Sequence, residues 1–183
     1  PKKNHIYNSK YKLKHKLLKS EKILCAKYRK GHFEGVIDVM TRLINLINPS
    51  KTFMGEKDFQ QFLLVKKYMK KISKTNFVCC KTIRANNKLA LSSRNLLLKK
   101  KDFKTAGNVA RDLIFFKKNI IKKNNLKRLV SNIKKKLEDK YHINIEYIEL
   151  RNKKNLNLIN TTKDSKIFIA YYLNKVRLID NFW

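Results

Sequence analysis

The fold is decided by the stretch TFMGEKDFQQ, residues 52–61, in which a short β-rich run meets a glycine and then the start of an amphipathic helix. In open α/β sheets such a turn lies at the carboxyl end of a strand, where the helix N-terminus presents unpaired backbone N–H groups to anions. Gly55 allows a nucleotide to approach the backbone, and Lys57 offers a mobile cation for phosphate oxygens. The stretch therefore predicts an anion site at a strand-to-helix turn.

The same stretch also has a purely structural interpretation. Asp58 precedes Gln61 by the three residues of a capping box, in which Asp58 is the N-cap and Gln61 bonds back to its backbone. Spacing alone does not decide between capping and nucleotide binding, and the two roles can coexist.

Outward from this stretch, helices and strands alternate. Apolar residues at three- and four-residue steps predict a helix over 36–47 that ends at Asn48-Pro49, and a second helix from Phe59 to Ile72. Short β-rich runs over 52–54 and 77–83 predict strands. The alternation is typical of a parallel sheet with covering helices, and it predicts half of a doubly wound α/β layer.

The pattern changes after Arg94. Helical stretches over 103–121 and 126–140 precede β-rich runs near 143–150, 167–172 and 176–179. Two helices followed by three strands predict a small α+β domain. We therefore predict an α/β domain over residues 1–93 and an α+β C-terminal domain over residues 94–183.

The amino-acid composition and charge limit the kinds of function that the chain can have. Lys and Arg number 45 against 13 Asp and Glu, a formal charge of +32 that alone favours a nucleic-acid partner. The lysines are spread along the chain, however, and the aromatic residues form no base-stacking motif. Most of this charge is interpreted as solvated helix faces, with nonspecific nucleic-acid contact left open.

The sequence supports neither a protein stabilised by disulfides or metal nor a membrane or secreted protein. Cys25, Cys79 and Cys80 are odd in number and lack CxxC spacing, so neither a disulfide framework nor a metal site is predicted. No apolar run approaches the length of a membrane span, and the start lacks the apolar core of a signal peptide. The expected location is the cytoplasm, without membrane attachment.

A second candidate segment is LALSSRN, residues 89–95. Its two hydroxyls and one guanidinium are suited to a triphosphate and to charge that develops on pyrophosphate. The structural alternative is an ordinary serine N-cap before the leucine run at 96–98.

Together, GEKDFQQ at 55–61 and LALSSRN at 89–95 closely resemble the pantothenate synthetase family. Three further stretches fit this family in order: RKGHFEGV at 29–36, the strand-like segment at 145–151, and VRLIDN at 176–181. The resemblance implies a nucleotidyltransferase related to class I aminoacyl-tRNA synthetases, in which residues 1–93 are an incomplete Rossmann-type domain that binds ATP and pantoate. Such a ligase uses ATP with Mg²⁺ to adenylate pantoate, releases pyrophosphate, and joins the pantoyl group to beta-alanine with release of AMP. It also implies a homodimer.

The resemblance assigns roles position by position. Lys57 and Arg94 match residues that stabilise charge in catalysis, and Gln61 matches the pantoate-binding glutamine. ATP binding falls on Gly55, Glu56, Lys57, Asp58, Ile83, Leu91, Ser92, Ser93 and Arg94, with Ile83 as a backbone contact to adenine.

The sequence also departs from the family pattern. The family's MGxLHxGH motif, which carries the proton-donor histidine, is matched by none of the four histidines: His5, His15, His32 and His142. Lys30 replaces a common proline, and Asn87-Lys88 replaces Asp-Gly. We therefore expect an incomplete fragment that is inactive alone. The alternatives are a basic nucleic-acid-binding protein or a non-catalytic copy on the same scaffold.

Overall fold

The computed structural model describes residue 2 and residues 6–7, 15–121 and 123–183. The chain divides into two compact units, Pro1–Lys81 and Thr82–Trp183. Each unit has its own sheet. His5 and most of the lysine-rich start lie outside the described residues.

The first unit contains a parallel pair of strands and its helices. Strands β1 and β2 run parallel, with Gly55 opposite Cys80, so their carboxyl ends lie at one edge. This confirms the predicted α/β arrangement with a parallel sheet. The described elements are α1 (Cys25–Tyr28), α2 (His32–Ile47), β1 (Lys51–Gly55), α3 (Phe59–Met69) and β2 (Asn76–Cys80), with 3-10 turns at Lys19–Glu21 and Glu56–Asp58.

Helix α2 ends where the sequence predicted and begins earlier. Asn48 adopts a left-handed conformation with φ 47° and donates its backbone N–H to the Ile44 carbonyl at 2.7 Å. Pro49 follows and cannot continue the helix. At the other end, Gly31 takes φ 75° as the N-cap, and the helix begins at His32 rather than near residue 36.

Two predicted boundaries in this unit are wrong. Helix α3 ends at Met69, so Ile72 lies in the turn that follows, where it is 49% exposed. Strand β2 ends at Cys80, and Ile83 lies beyond it. In both cases a single apolar residue extended the pattern beyond the point where backbone hydrogen bonding changes, because periodicity does not report hydrogen bonds.

The second unit is an antiparallel sheet with two long helices. Strands β3, β4 and β5 are ordered β3-β4-β5. Leu113, Leu137 and Ile169 are almost completely buried in the core that the helices form with the sheet. This confirms the predicted α+β region. Its elements are α4 (Lys100–Asn119), α5 (Leu126–Tyr141), β3 (Asn144–Asn152), β4 (Ser165–Leu173) and β5 (Val176–Phe182), with a 3-10 helix at Ser93–Leu97.

The compact units divide between Lys81 and Thr82, whereas the sequence placed the domain boundary after residue 93. Residues in this interval pack within the second unit: Leu89 belongs to its core, and Arg84 pairs with Asp180 on β5. These contacts join residues distant in sequence, so no local pattern reveals them. The domain boundary at 93 stays a prediction.

Among the described residues, no helix combines the length and the apolar character that a membrane crossing requires.

Candidate functional site

The first candidate segment is the turn of residues 55–58, which we call the GEKD turn. It begins at Gly55, the last residue of β1, and continues as the 3-10 helix Glu56–Asp58 into α3. Gly55 has φ −69° and ψ 133°, a conformation that any residue adopts. Among the residues that the structure describes, a Cβ built on it meets no atom within 4 Å. Neither backbone strain nor packing against the described residues requires glycine here, which leaves room for the close approach of a ligand.

Lys57 and Asp58 contact each other within the GEKD turn. Lys57 Nζ lies 3.2 Å from Asp58 Oδ2, and the two side chains are 17% and 44% exposed. Asp58 occupies the N-cap position of α3 without a capping hydrogen bond from its side chain. The capping-box interpretation of Asp58 and Gln61 is therefore wrong, because the Asp58 carboxylate is directed to Lys57.

The two adjacent glutamines of α3 have different environments. Gln60 is 6% exposed, and its Nε2 donates to the Ile23 carbonyl at 2.7 Å. This bond ties α3 to the chain just before α1. Gln61, the predicted pantoate ligand, is half-buried. Gln60 thus contributes to internal packing, and the side chain of Gln61 lies on a different side of the helix.

The second candidate segment is residues 83–94, which we call the 83–94 loop. Leu91 donates its backbone N–H to the carbonyl of Ile83, the first residue of the loop, at 2.9 Å. The Ile83 and Leu91 side chains are 72% and 51% exposed. A carbonyl oxygen has two lone pairs, so the Ile83 oxygen retains acceptor capacity beside this bond.

The end of the 83–94 loop is a capped turn. Ser92 is the N-cap of the 3-10 helix Ser93–Leu97, and its Oγ accepts from the Arg94 N–H at 3.3 Å. This confirms that Ser92 is a cap, although of a 3-10 helix. Arg94 Nη1 donates to the Arg177 carbonyl at 3.1 Å, which orients its guanidinium.

The predicted site residues therefore fall into two groups. Gly55, Glu56, Lys57 and Asp58 are together in one turn, with Gln61 one helical turn further along α3. The other group, in the second unit, consists of Ile83, Leu91, Ser92, Ser93 and Arg94.

Two residues in and next to the 83–94 loop, Arg84 and Asp180, were not predicted from the sequence as individual site residues. Arg84 forms a bidentate ion pair with Asp180, whose side chain is 6% exposed. Burial, together with the charge of Asp180, raises the pKa of Tyr171 well above its usual range. An acid within the apolar strand pattern of residues 176–181 was the available signal, since a buried carboxylate requires a cationic partner.

The histidines in the described part of the chain either make packing contacts or lie at the surface. His15 Nε2 lies 3.4 Å from Thr41 Oγ1, and its ring meets the Tyr68 ring edge-on. His32 is the first residue of α2, with its ring 5.0 Å from that of Phe33. His142 is an exposed C-cap of α5. The described residues contain no group of three or more His, Cys, Asp or Glu that could hold a metal ion.

The parallel α/β unit and the α+β unit that follows it define a nucleotidyltransferase-like protein. The fold is that of a solved pantothenate synthetase from Thermus thermophilus, with a TM-score of 0.89 at 24% identity over 98% of this chain and 66% of that one. A pantoate-beta-alanine ligase from Francisella tularensis, complexed with beta-gamma ATP and beta-alanine, has a TM-score of 0.69 at 32% identity, covering 92% of this chain and 57% of that one.

The family model described as pantoate-beta-alanine ligase matches residues 1–183, and the chain therefore belongs to that family. Pantothenate synthetase of Caldicellulosiruptor bescii is 32% identical over 99% of this chain and 65% of the relative. That of Ruthia magnifica is 37% identical over 87% of this chain and 57% of the relative. The chain thus spans no more than two-thirds of the length of these relatives.

Proposed function

We propose that this chain contributes to an ATP-dependent ligase that condenses pantoate with beta-alanine to pantothenate. The observation that carries the proposal is the match of the pantoate-beta-alanine ligase family model to residues 1–183. The family match favours this function over a dedicated nucleic-acid-binding protein.

The proposed reaction has two balanced steps. A carboxylate oxygen of pantoate bonds to the α-phosphorus of ATP, and the bond from that phosphorus to the bridging oxygen breaks to release pyrophosphate. The neutral amine of beta-alanine then bonds to the acyl carbon of pantoyl adenylate, AMP leaves, and the nitrogen loses a proton. Both steps require positioning and neutralisation of negative charge rather than a covalent enzyme intermediate.

The GEKD turn is proposed to bind the ATP phosphates. Gly55 leaves open space over its Cα, and Lys57 lies in the same turn with its ammonium paired with Asp58. Glu56 and Asp58 complete the turn. Lys57 is the proposed catalytic residue that stabilises charge on the transferring phosphoryl group.

The 83–94 loop is proposed to bind the remainder of the nucleotide. Ile83 is proposed to offer its backbone to adenine, while Leu91, Ser92 and Ser93, which lead into the 3-10 helix Ser93–Leu97, are proposed to bind the phosphates. Arg94 is the second proposed catalytic cation. Its bond to the Arg177 carbonyl uses Nη1 and leaves the remaining face of the guanidinium for a phosphate.

The other proposed ligands follow from the chemistry of the residues. Gln61 has amide donors and an acceptor suited to the hydroxyl and carboxylate groups of pantoate. Mg²⁺ is proposed to enter with ATP as part of the substrate, since magnesium bound to nucleotides takes its ligands mainly from phosphates and water. The GEKD turn contains two carboxylates, those of Glu56 and Asp58. A cytoplasmic homodimer completes the proposal and rests on the resemblance to the family.

The proposal is tested with the complete polypeptide that the gene encodes. We expect AMP formation that requires ATP, pantoate and beta-alanine together, and rescue of a bacterial strain that cannot make pantothenate. Rescue by the wild-type gene but not by a Lys57→Ala gene would support the assignment. AMP formation that is independent of pantoate would contradict it.

A further inference from the structure

The closing stretch VRLIDN, residues 176–181, has no place in the proposed ATP and pantoate contacts. It forms most of β5, and its residues Asp180 and Asn181 are 7% and 4% exposed. A buried carboxylate is costly unless a cation and hydrogen-bond donors compensate it. The partners of Asp180 therefore indicate what this stretch does.

The main partner of Asp180 is Arg84. Arg84 Nη1 lies 2.6 Å from Asp180 Oδ2, and Nη2 lies 2.9 Å from Oδ1. The same guanidinium donates to the Lys88 carbonyl at 3.0 Å and to the Asn181 carbonyl at 3.2 Å. It also lies over the Phe182 ring, 4.7 Å from its centroid. One side chain thus connects two points of the 83–94 loop with β5.

These contacts fix the shape of the 83–94 loop. Arg84 is the residue after Ile83, and its backbone bridges to Ala90, the residue before Leu91. The hydrogen bond from Leu91 to Ile83 lies immediately beside this bridge. Displacement of Arg84 from Asp180 would therefore move Ile83 and Leu91, which are the chain neighbours of the two bridged residues.

A second contact joins the loop to the same strand. Arg94 Nη1 donates to the backbone carbonyl of Arg177 on β5. Arg177 is itself paired with Glu146 on β3, and their side chains are 11% and 10% exposed. Strand β5 thus supports the 83–94 loop at its beginning and at its end.

We propose that Arg84 and Asp180 form a latch that holds the 83–94 loop on β5 in the shape that binds ATP. Both are positioning residues that act through Ile83 and Leu91 rather than by touching the reacting atoms. The latch requires the planar fork of arginine, because a lysine ammonium cannot bind both carboxylate oxygens and two carbonyls in this geometry. The inference rests on the proposed ATP-binding function of the loop.

The test compares the dissociation constant for ATP with Mg²⁺ in wild-type, Arg84→Gln, Arg84→Lys and Asp180→Asn proteins. Loss of charge-assisted hydrogen bonds should weaken ATP binding about ten- to a hundredfold in the Gln and Asn variants, with partial recovery in the Lys variant. The double variant Arg84→Gln/Asp180→Asn should have about the same ATP affinity as the single variant with the lower affinity, because both substitutions remove the same ion pair.

The matched control is Arg151→Gln. Arg151 is another buried arginine of the second unit, which pairs with Glu149 and donates to the Leu156 carbonyl at 2.6 Å, remote in sequence from the 83–94 loop. Its loss should lower stability in urea without changing the ATP dissociation constant of the folded protein. An equal loss of ATP affinity in Arg151→Gln would overturn the latch, because general destabilisation would then explain both results.

Hydrogen exchange of the ligand-free protein tests the latch separately from ATP binding. In Arg84→Gln, the Leu91 and Arg94 amides should exchange at least about tenfold faster, while core amides of β4 keep their protection. Unchanged exchange at Leu91 and Arg94 would overturn the latch whether or not the protein binds ATP. If the wild-type protein does not bind ATP, and Arg84→Gln nevertheless removes this protection, the latch is supported and the proposed function is contradicted.

Discussion

Gly55 ends β1 in an extended conformation with open space where a side chain would be. Glycine loses more conformational entropy on folding than alanine does, so its presence here disfavours folding without a compensating contact in the described part of the chain. A ligand that approaches the backbone provides a reason for it. The absence of a side chain at this position is therefore better explained by binding than by folding.

A Gly55→Ala substitution tests this explanation. The free energy of unfolding should stay constant or rise by about 0.4–1 kcal/mol, because alanine restricts the unfolded chain. ATP affinity should fall about tenfold, equivalent to about 1.4 kcal/mol. Urea melts and calorimetric titration with ATP measure the two quantities. A variant that is destabilised in urea, or that binds ATP normally, would show that the glycine serves another purpose.

Lys57 and Asp58 are expected to respond differently to removal. Lys57→Ala should reduce pantoate-dependent adenylate formation by about 10²–10³-fold, as loss of a charge-stabilising donor does elsewhere. Stability should change by less than about 0.5 kcal/mol in both Lys57→Ala and Asp58→Ala, since their ion pair is partly exposed and Asp58 makes no capping bond.

The measurements are pyrophosphate exchange in the complete polypeptide and urea melts of each variant. Lys71→Ala, which removes an exposed lysine after α3, controls for the loss of one positive charge. Near-normal exchange in Lys57→Ala would remove the GEKD turn from the proposed site.

At the scale of elements, helix α4 approaches the 83–94 loop through a glycine. A Cβ on Gly107 would lie 2.8 Å from Asn87 Cβ and nearer still to its amide group. Asn87 cannot easily move, because its Nδ2 donates to the Phe103 carbonyl at 3.0 Å and its Oδ1 accepts from the Leu89 N–H at 3.2 Å. The glycine thus sets the distance between helix and loop.

Gly107→Ala is therefore expected to destabilise the protein, although alanine favours a helix interior by about 1 kcal/mol over glycine. The forced shift of Asn87 should cost more than this gain, for a net loss of about 1–3 kcal/mol. Gly35→Ala in α2 is the matched control, because a Cβ there meets no atom within 4 Å and should stabilise the helix. Equal stabilisation of both variants in urea would contradict the close packing.

The segment before α1 is held on α3 by Glu21. Its Oε1 accepts from Lys67 Nζ at 2.6 Å, and its Oε2 accepts from the Tyr68 hydroxyl and the Leu18 N–H, each at 2.8 Å. Burial opposes the charge on Glu21, but the hydrogen bonds from Lys67, Leu18 and Tyr68 outweigh it and lower the pKa of the carboxyl. Burial and the bond to Glu21 raise the pKa of Tyr68 to about 12.

These shifts predict the direction of a pH dependence. Because the pKa of Glu21 is lower in the folded than in the unfolded state, its stabilisation is complete above the unfolded value and is lost as pH falls through the folded value. Glu21→Gln should lower the free energy of unfolding by about 1–2 kcal/mol at pH 7, a range kept small because Lys67 is half-exposed. The variant should also lose less stability than the wild type as the pH falls below about 4.5. Urea melts from pH 3 to 7 would measure this, and parallel wild-type and variant profiles would refute it.

At the scale of the whole molecule, the formal charge of +32 has a predictable consequence. Exposed lysines on both long helices of the second unit, such as Lys101 and Lys135, present this charge to solvent. We expect RNA and DNA binding that is independent of sequence and that weakens by orders of magnitude between about 50 and 200 mM salt. Fluorescence anisotropy with unrelated oligonucleotides measures it. Sequence-selective binding that persists at about 200 mM salt would instead indicate a dedicated nucleic-acid function.

The order and kind of the longer elements from residue 32 onward could be predicted from the sequence, and so could the segments of the proposed site. Alternating helices and strands before Lys81, and two helices followed by three strands after it, are encoded by local periodicity and by breakers such as Asn48-Pro49. The segments GEKDFQQ and LALSSRN could be proposed for the site because the residues within each are contiguous, and contiguous residues keep their spacing in any fold.

Only the tertiary structure decided how these segments are held. Spacing suggested that Asp58 caps α3, but its carboxylate bonds to Lys57 instead. The pairing of Arg84 with Asp180 and the approach of Gly107 to Asn87 join residues far apart in the chain. Such contacts depend on which surfaces meet when the chain packs, and one sequence read locally carries no direct signal for them.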